Sequence, residues 1–324
     1  MTETDKQSKK VFPWGTAQRY FQAAVYYRSL FGERVQKLSL DAGFTCPNRD
    51  GTKGRGGCTY CNNDAFNPSY CHPSKPVAQQ LREGMVFHRR RYRRAGKYLA
   101  YFQAYTNTYA PLEVLRQRYE EALAMEGVTG LIVSTRPDCV DEAVLDYLAE
   151  LSQRVFVAVE YGIESCYDRT LERVNRGHTF AESVQAIRMT AARRLPVGAH
   201  LILGLPGESR EEMVAEADIL SALPLDMIKL HQLQIITGTA MAAEYKKHPE
   251  RFHLFAWEEY RELVIDFLER LRPDIAVERL VSEAPPRFLA APGFGTRRPD
   301  VLMQDILKRM EERDTWQGKR KLDA

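Results

Sequence analysis

The chain has 324 residues, 44% of them hydrophobic and 27% charged, an ordinary globular balance with material for a large core. A formal charge of +3 is too small to mark a general nucleic-acid binder, and no apolar run approaches the roughly 18 residues needed to cross a bilayer. Met1–Lys10 is polar and lacks an apolar stretch, so it reads as the frayed start of a cytoplasmic protein rather than a signal peptide. Apolar candidate strands follow at Val35–Ala42, Tyr98–Ala104, Val128–Ser134, Arg154–Tyr161, Pro196–Gly204 and Leu225–His231. Segments of helical period lie between them. Ser74–Arg94 carries Pro76 in its first turn, Pro111–Met125 starts on proline and stops at Gly127, and Asp141–Leu151 keeps Val144, Leu145, Leu148 and Leu151 on one face. Thr179 with Glu182, and Ser209 with Glu212, have capping-box spacing at the starts of two more helices. A further helix is expected over Trp257–Leu271.

Six strands alternating with helices imply parallel pairing with right-handed crossovers, which a doubly wound sheet and a partial barrel both satisfy. No Gly-x-Gly-x-x-Gly follows the first strand, which disfavours a dinucleotide fold. The expected organisation is an N-terminal extension over 1–33, an α/β unit over 34–272 and a small C-terminal extension over 273–324. That extension holds a strand-like stretch (Ile275–Leu280), a Pro/Gly-rich loop (Pro285–Arg298) and an amphipathic helix (Val301–Arg313).

With no export signal, the six cysteines read as free thiols or metal ligands rather than disulfides. Cys71, Cys139 and Cys166 are scattered singly. Cys46, Cys58 and Cys61 fall in one loop after the first strand, spaced Cys-x11-Cys-x2-Cys, with Gly51, Gly54, Gly56 and Gly57 permitting tight turns and close amide approach to anionic sulfur. Spacing alone leaves two readings open. One is a structural zinc site closed by Cys71 or His72, since such sites take four ligands. The other is an iron–sulfur cluster with one open iron. The loop lies at the carboxyl end of a βα series, where such folds place active sites, and this favours the cluster.

Several ordered stretches carry a more specific likeness. They are Ser39-Leu-Asp-Ala-Gly-Phe-Thr-Cys-Pro-Asn-Arg-Asp-Gly51, Tyr101-Phe-Gln-Ala-Tyr-Thr-Asn-Thr-Tyr-Ala-Pro111, Ser134-Thr-Arg-Pro-Asp-Cys139, Asn175-Arg-Gly-His178, His200-Leu-Ile-Leu-Gly-Leu-Pro-Gly-Glu208 and Asp314-Thr-Trp-Gln-Gly-Lys319. Together they resemble the YhcC/YtqA-type group of the radical S-adenosylmethionine (SAM) superfamily, related to the radical SAM half of the elongator catalytic subunit. The resemblance implies a partial (β/α)6 TIM-like barrel. It also implies a 4Fe–4S cluster on Cys46, Cys58 and Cys61, with SAM chelating the fourth iron. The implied activity is reductive cleavage of SAM to a 5′-deoxyadenosyl radical that abstracts hydrogen, with flavodoxin or ferredoxin as reductant.

Polar residues recur at the strand ends: Gln103, Tyr105, Thr106 and Asn107, then Ser134, Thr135, Arg136 and Asp138, then Glu160 and Glu164, His200, and Lys229, His231 and Gln232. One such residue is ordinarily a cap or a satisfied core group, but endings on every strand would converge on one barrel mouth. By analogy with the superfamily, Tyr105–Asn107 would meet the SAM amino group, Glu160 the ribose hydroxyls, and Gly204 with its neighbours the adenine edge, with His200 a further cofactor-binding candidate. Arg136 would pair with the SAM carboxylate or, equally, with Asp138.

The one strong charge run is His88-Arg-Arg-Arg-Tyr-Arg-Arg-Ala-Gly-Lys97, within a stretch from Arg82 carrying seven cations and one anion. It reads either as a solvated basic face or as a phosphate-steering patch in which Tyr92 stacks on a base. The resemblance implies tRNA as substrate, at the wobble uridine. A small-metabolite radical enzyme and a zinc-stabilised tRNA-binding protein are the rival classes. Around strand four, Glu160-Tyr-Gly-Ile-Glu-Ser165 departs from the Glu-Leu-Gly-Leu-Gln-Thr common among relatives.

Overall fold

The computed structural model describes residues 10–89, 96–282, 284–295 and 297–322. Arg90, Arg91, Tyr92, Arg93 and Arg94 of the basic run therefore lie outside the described residues.

Seven strands form one parallel sheet in sequential order: β1 (Val35–Leu40), β2 (Lys97–Phe102), β3 (Val128–Thr135), β4 (Phe156–Glu164), β5 (Val197–Leu203), β6 (Met227–Gln232) and β7 (Ala276–Arg279). The helices are α1 (Ala23–Phe31), α2 (Val77–Arg89), α3 (Leu112–Leu123), α4 (Glu142–Ser152), α5 (Asp168–Arg173), α6 (Phe180–Ala192), α7 (Arg210–Ser221), α8 (Ala240–Lys247), α9 (Trp257–Arg270), α10 (Pro299–Glu312) and α11 (Lys319–Leu322). A consecutive, all-parallel order excludes a doubly wound sheet, which reverses direction at a switch point. The sheet curls into a partial barrel with the helices outside. No helix among the described residues is long and apolar enough to cross a membrane.

Period-two alternation sorts each strand into an outer and an inner row. The outer row packs on helices: Leu38 and Leu40, Leu131 and Val133, Val157 and Val159, and Leu201 and Leu203 share the main apolar core. The inner row begins with an apolar plug in which Leu99, Ile132, Ala158, Met227 and Ala276 meet Ala23 and Tyr27 of α1. Above this plug the inner row turns charged, with Lys37, Glu160, Lys229 and Glu278. Both expected capping boxes are present, Thr179 with Glu182 and Ser209 with Glu212.

Two elements differ from the sequence reading. Strand β4 runs on to Glu164, three residues past the expected end, because Gly162 and the left-handed Glu164 (φ 72°) continue the pairing through a register shift against β5. The strand-like stretch near Ile275, expected in a C-terminal extension packed on the barrel, is a seventh strand that joins the sheet beside β6. Its Glu278 pairs with lysines of the barrel interior. The edge of β7 is covered in turn: Gln22 bridges Val277, and the Val277 amide donates to the Phe21 carbonyl at 2.7 Å.

Close strand packing at the base of the barrel depends on Gly130, where an added Cβ would stand 2.3 Å from the Phe156 carbonyl oxygen. Backbone cannot swing aside as a side chain can. Gly130→Ala is therefore expected to cost about 2–3 kcal/mol in urea denaturation, toward the upper end for overpacking. An unchanged midpoint would contradict this account of the base.

Candidate active site

The carboxyl ends of the strands open into a cavity of about 220 Å³. The cysteine loop forms one wall through Cys46, Cys58 and Cys61, and β5, β6 and β7 form the other through His200, Lys229, His231 and Arg279. Between them lie Gln103, Tyr105, Thr106, Ser134, Arg136 and Glu164.

The cysteine loop is held from both sides. Its first turn closes on Cys46, whose carbonyl accepts from the Arg49 amide at 2.8 Å, and the Cys61 amide donates to the Cys58 carbonyl at 3.0 Å. Asn48 donates to the Asn175 carbonyl, and Asn175 returns a bond to the Gly57 carbonyl at 2.9 Å. Lys53 of the loop pairs with Asp138 at 2.6 Å. Arg176, buried and paired with Glu164 at 3.4 Å, places Nη1 3.5 Å from the Cys58 sulfur, and the Asn48 amide lies 3.8 Å from the same atom. Donors aimed at a cysteine sulfur suit a thiolate and tune a cluster bound to it. Burial, then the neighbouring Cys58 sulfur, pushes the Cys61 thiol up to about 12, so a cationic centre is what would hold it as thiolate.

The fourth ligand that the zinc reading required is not supplied by Cys71 or His72. Cys71 donates to the Ser39 carbonyl at 2.8 Å, His72 Nδ1 lies 2.7 Å from the Ser74 hydroxyl, and neither lines the cavity. Among the described residues no three His, Cys, Asp or Glu side chains converge as a cage for a single ion. A closed zinc site draws its ligands to roughly 2.3 Å from one point, whereas an iron–sulfur cube spreads its cysteines around a larger body.

The other expected site residues divide. Tyr105 lines the cavity in a left-handed conformation (φ 60°), with Arg49 at 5.2 Å over its ring. Strain of this kind, shared by Glu164, gathers at ligand-holding positions. Asn107 is fully buried behind the wall, its amide nitrogen spent on the Phe102 and Ser134 carbonyls at 3.0 and 2.8 Å. Its neighbour Thr106 faces the cavity instead, with a buried hydroxyl that has no partner among the described residues. The Tyr60 hydroxyl, also on the cavity wall, is equally unpartnered there. Two orphaned polar atoms fit a ligand with amino, carboxylate and hydroxyl groups. Arg136 pairs with Asp138 through two 2.9 Å bonds and donates to the Arg176 carbonyl at 2.7 Å. Gly204 does not line the cavity; a Cβ there would stand 2.8 Å from the Phe255 ring.

Glu160 has a different place from the expected one. It lies beneath the cavity, not among the residues that line it, and both carboxylate oxygens are used. Lys37 donates to Oε1 at 2.7 Å, while Lys229 and His200 reach Oε2 at 3.0 and 2.8 Å. Glu278 completes the group, pairing with Lys37 and, at 2.9 Å, with Lys229. Burial would raise the Glu160 carboxyl, but the Lys229 and Lys37 charges override it and hold it well below the usual range. Burial and the Lys229 charge depress His200, leaving a neutral ring that donates to Glu160. Gly198 makes room, since a Cβ there would stand 2.8 Å from the Glu160 side chain. The carboxylate that faces the cavity from β4 is Glu164. Lys37 and Glu278 were not singled out in sequence; the available signal was a lone charge on the inner row of an otherwise apolar strand.

Comparison with known proteins agrees with this geometry. Residues 48–220 match the Radical SAM superfamily and residues 225–312 the Radical_SAM C-terminal domain. The chain is 37% identical over 309 residues to the uncharacterized protein YtqA of Bacillus subtilis, covering 95% of each. It is 29% identical over 120 residues to a tRNA uridine(34) acetyltransferase of Methanocaldococcus infernus, covering 36% of this chain and 22% of that one. The solved structure of the Elp3 protein from the same archaeon superposes with a TM-score of 0.66 at 17% identity, over 87% of this chain and 64% of that one, a likeness of fold. The chain belongs to the radical SAM superfamily. It is a radical SAM enzyme whose cofactors are a 4Fe–4S cluster and SAM.

Two consequences can be measured. Removing one member of a buried charge group leaves its partners uncompensated, so Glu160→Gln is expected to cost about 3–5 kcal/mol in urea unfolding. Asp138 supplies a pH test. Burial would raise its carboxyl, but Arg136 and then Lys53 hold it down at about 2 against an ordinary 3.8. Its contribution is complete above the unfolded value and lost as pH falls from about 4 to about 2, amounting to roughly 2 kcal/mol. Asp138→Asn should flatten stability over that window, as read by urea titrations at stepped pH.

Proposed function

We propose that Cys46, Cys58 and Cys61 hold the cluster, and that the enzyme modifies the wobble uridine of tRNA in the cytoplasm, with flavodoxin or ferredoxin as electron donor. The observation that carries this reading is that all three cysteines line the strand-end cavity, with Arg176 and Asn48 directed at the Cys58 sulfur. When bound, the cluster and SAM supply reductive hydrogen-atom abstraction, chemistry that belongs to the cofactors.

The chain's own residues bind, orient and exclude water. Thr106 and Tyr105 receive the methionine amino group, a role in which the unpartnered Thr106 hydroxyl gains a bond. Glu164 takes the ribose hydroxyls in place of Glu160. Arg136, committed to Asp138, braces the loop that carries Arg176 rather than binding SAM directly. The tRNA assignment is supported by the partial similarity to a tRNA uridine(34) acetyltransferase and by the fold shared with Elp3.

The test compares modified nucleosides in tRNA from a strain lacking this protein with those of its parent. One wobble-uridine derivative should disappear and a precursor accumulate. Wild-type protein should restore it, and Cys46→Ala, Cys58→Ala or Cys61→Ala should not. Each variant, reconstituted anaerobically, should also lack the visible absorption of a cluster. Unchanged nucleosides would overturn the tRNA assignment. A fully loaded wild-type enzyme that releases no 5′-deoxyadenosine from SAM and dithionite would overturn the radical reading.

A further inference from the structure

The two walls of the cavity differ in how their charges are matched. Lys37 and Lys229 are balanced by Glu160 and Glu278, Arg176 faces Glu164, and Arg136 holds Asp138. Two cavity cations have no carboxylate within ion-pair distance among the described residues. Arg49 is exposed at the rim beside the cysteines, stacked on Tyr105. Arg279 is half-buried in the opposite wall.

Arg279 is placed by two devices. Strand alternation that sends Glu278 inward would send Arg279 outward, but the β6–β7 register shifts between Ile228 and Lys229, so that Arg279 stands opposite Lys229 and reaches the cavity. A bulge re-aims a side chain in this way, and such irregularities concentrate at active sites. The guanidinium then donates through Nη1 to the Ser282 hydroxyl at 3.2 Å. Ser282 is itself pinned, its amide donating to Gln232 Oε1 at 3.0 Å and its carbonyl accepting from Gln234 at 2.6 Å. Beside it, burial and then the Arg279 charge hold the His231 ring neutral. Among the described residues, the far wall thus presents one positive charge without a paired carboxylate, held by Ser282.

We propose that Arg279 receives a carboxylate on the part of the substrate that enters the cavity. The inference rests on the reading of this cavity as the place where SAM and substrate meet. A guanidinium fork binds a carboxylate through paired hydrogen bonds, and burial strengthens them. A backbone phosphodiester belongs to a strand that leaves in two directions, whereas a carboxylate ends a substituent and suits a charge set in a cavity wall. SAM also carries a carboxylate, but its expected partners lie on the cysteine side.

The test uses carbon-13-labelled acetate and dimethyl phosphate as probes, followed by NMR on the anaerobically reconstituted protein with and without SAM. Acetate should bind at a single site that persists when SAM is added. Arg279→Gln should weaken it at least about tenfold, the scale of a lost charged hydrogen bond, with Arg279→Lys in between. SAM affinity and the thermal unfolding midpoint should stay unchanged in both variants. Equal acetate binding by wild type and Arg279→Gln would overturn the proposal. Displacement by SAM would assign Arg279 to the cofactor and overturn it, as would binding of dimethyl phosphate in preference to acetate. None of these readouts uses tRNA, so failure of the wobble-uridine assignment would show separately, in the nucleoside comparison.

Discussion

Glu160 is the atom-level constraint on which the barrel turns. It sits 1% exposed and receives bonds from β1, β5 and β6, so one carboxylate holds three other strands in a fixed relation to β4. Ion pairs in such surroundings are poor sources of net stability, because desolvation offsets most of the attraction. What they specify is register. A one-residue slip of β1 or β6 would turn its lysine toward the helices and bury it without a partner. The apolar plug below, sealed by α1, keeps water from the group, and the cavity above inherits a floor whose shape is set by charge matching.

The cysteine-bearing wall is built differently. Its residues come from loops and strand ends, and their positions are set by side-chain to backbone bonds, such as those from Asn48 to the Asn175 carbonyl and from Asn175 to the Gly57 carbonyl. Tyr105 and Glu164 add backbone strain at the two strand ends flanking the central part of the mouth. One wall is therefore a rigid continuation of the sheet, and the other is a loop clamped to its neighbours. This division suits a site that must hold an inorganic body on one side and accept a changing organic partner on the other.

Much of this was legible from the chain. Strand–helix alternation, two capping boxes and the Cys-x11-Cys-x2-Cys loop reflect local rules, and the structure follows them because packing reinforced each. What the chain did not reveal is side-chain direction relative to distant strands. Glu160 and Glu164 are four apart on one strand and share a face, so no local signal says which meets the cavity and which meets lysine. Asn107 and Thr106 differ by one position at a turn, where alternation no longer applies. The seventh strand was legible as a strand-like stretch but not its place in the sheet, because the lysines that match its Glu278, Lys37 and Lys229, lie far away in sequence.

That long-range matching bears on the order in which the barrel can be assembled. Lys37 and Glu278 are 241 residues apart. A chain emerging from synthesis can form the first six strands while the interior holds two lysines and a single glutamate, a surplus of one positive charge that favours hydration over closure. The interior becomes neutral only when the last strand is delivered, at the moment its edge is covered by the segment around Phe21. Charge balance inside the partial barrel is thus tied to delivery of β7, whose Glu278 supplies the second carboxylate for the two lysines.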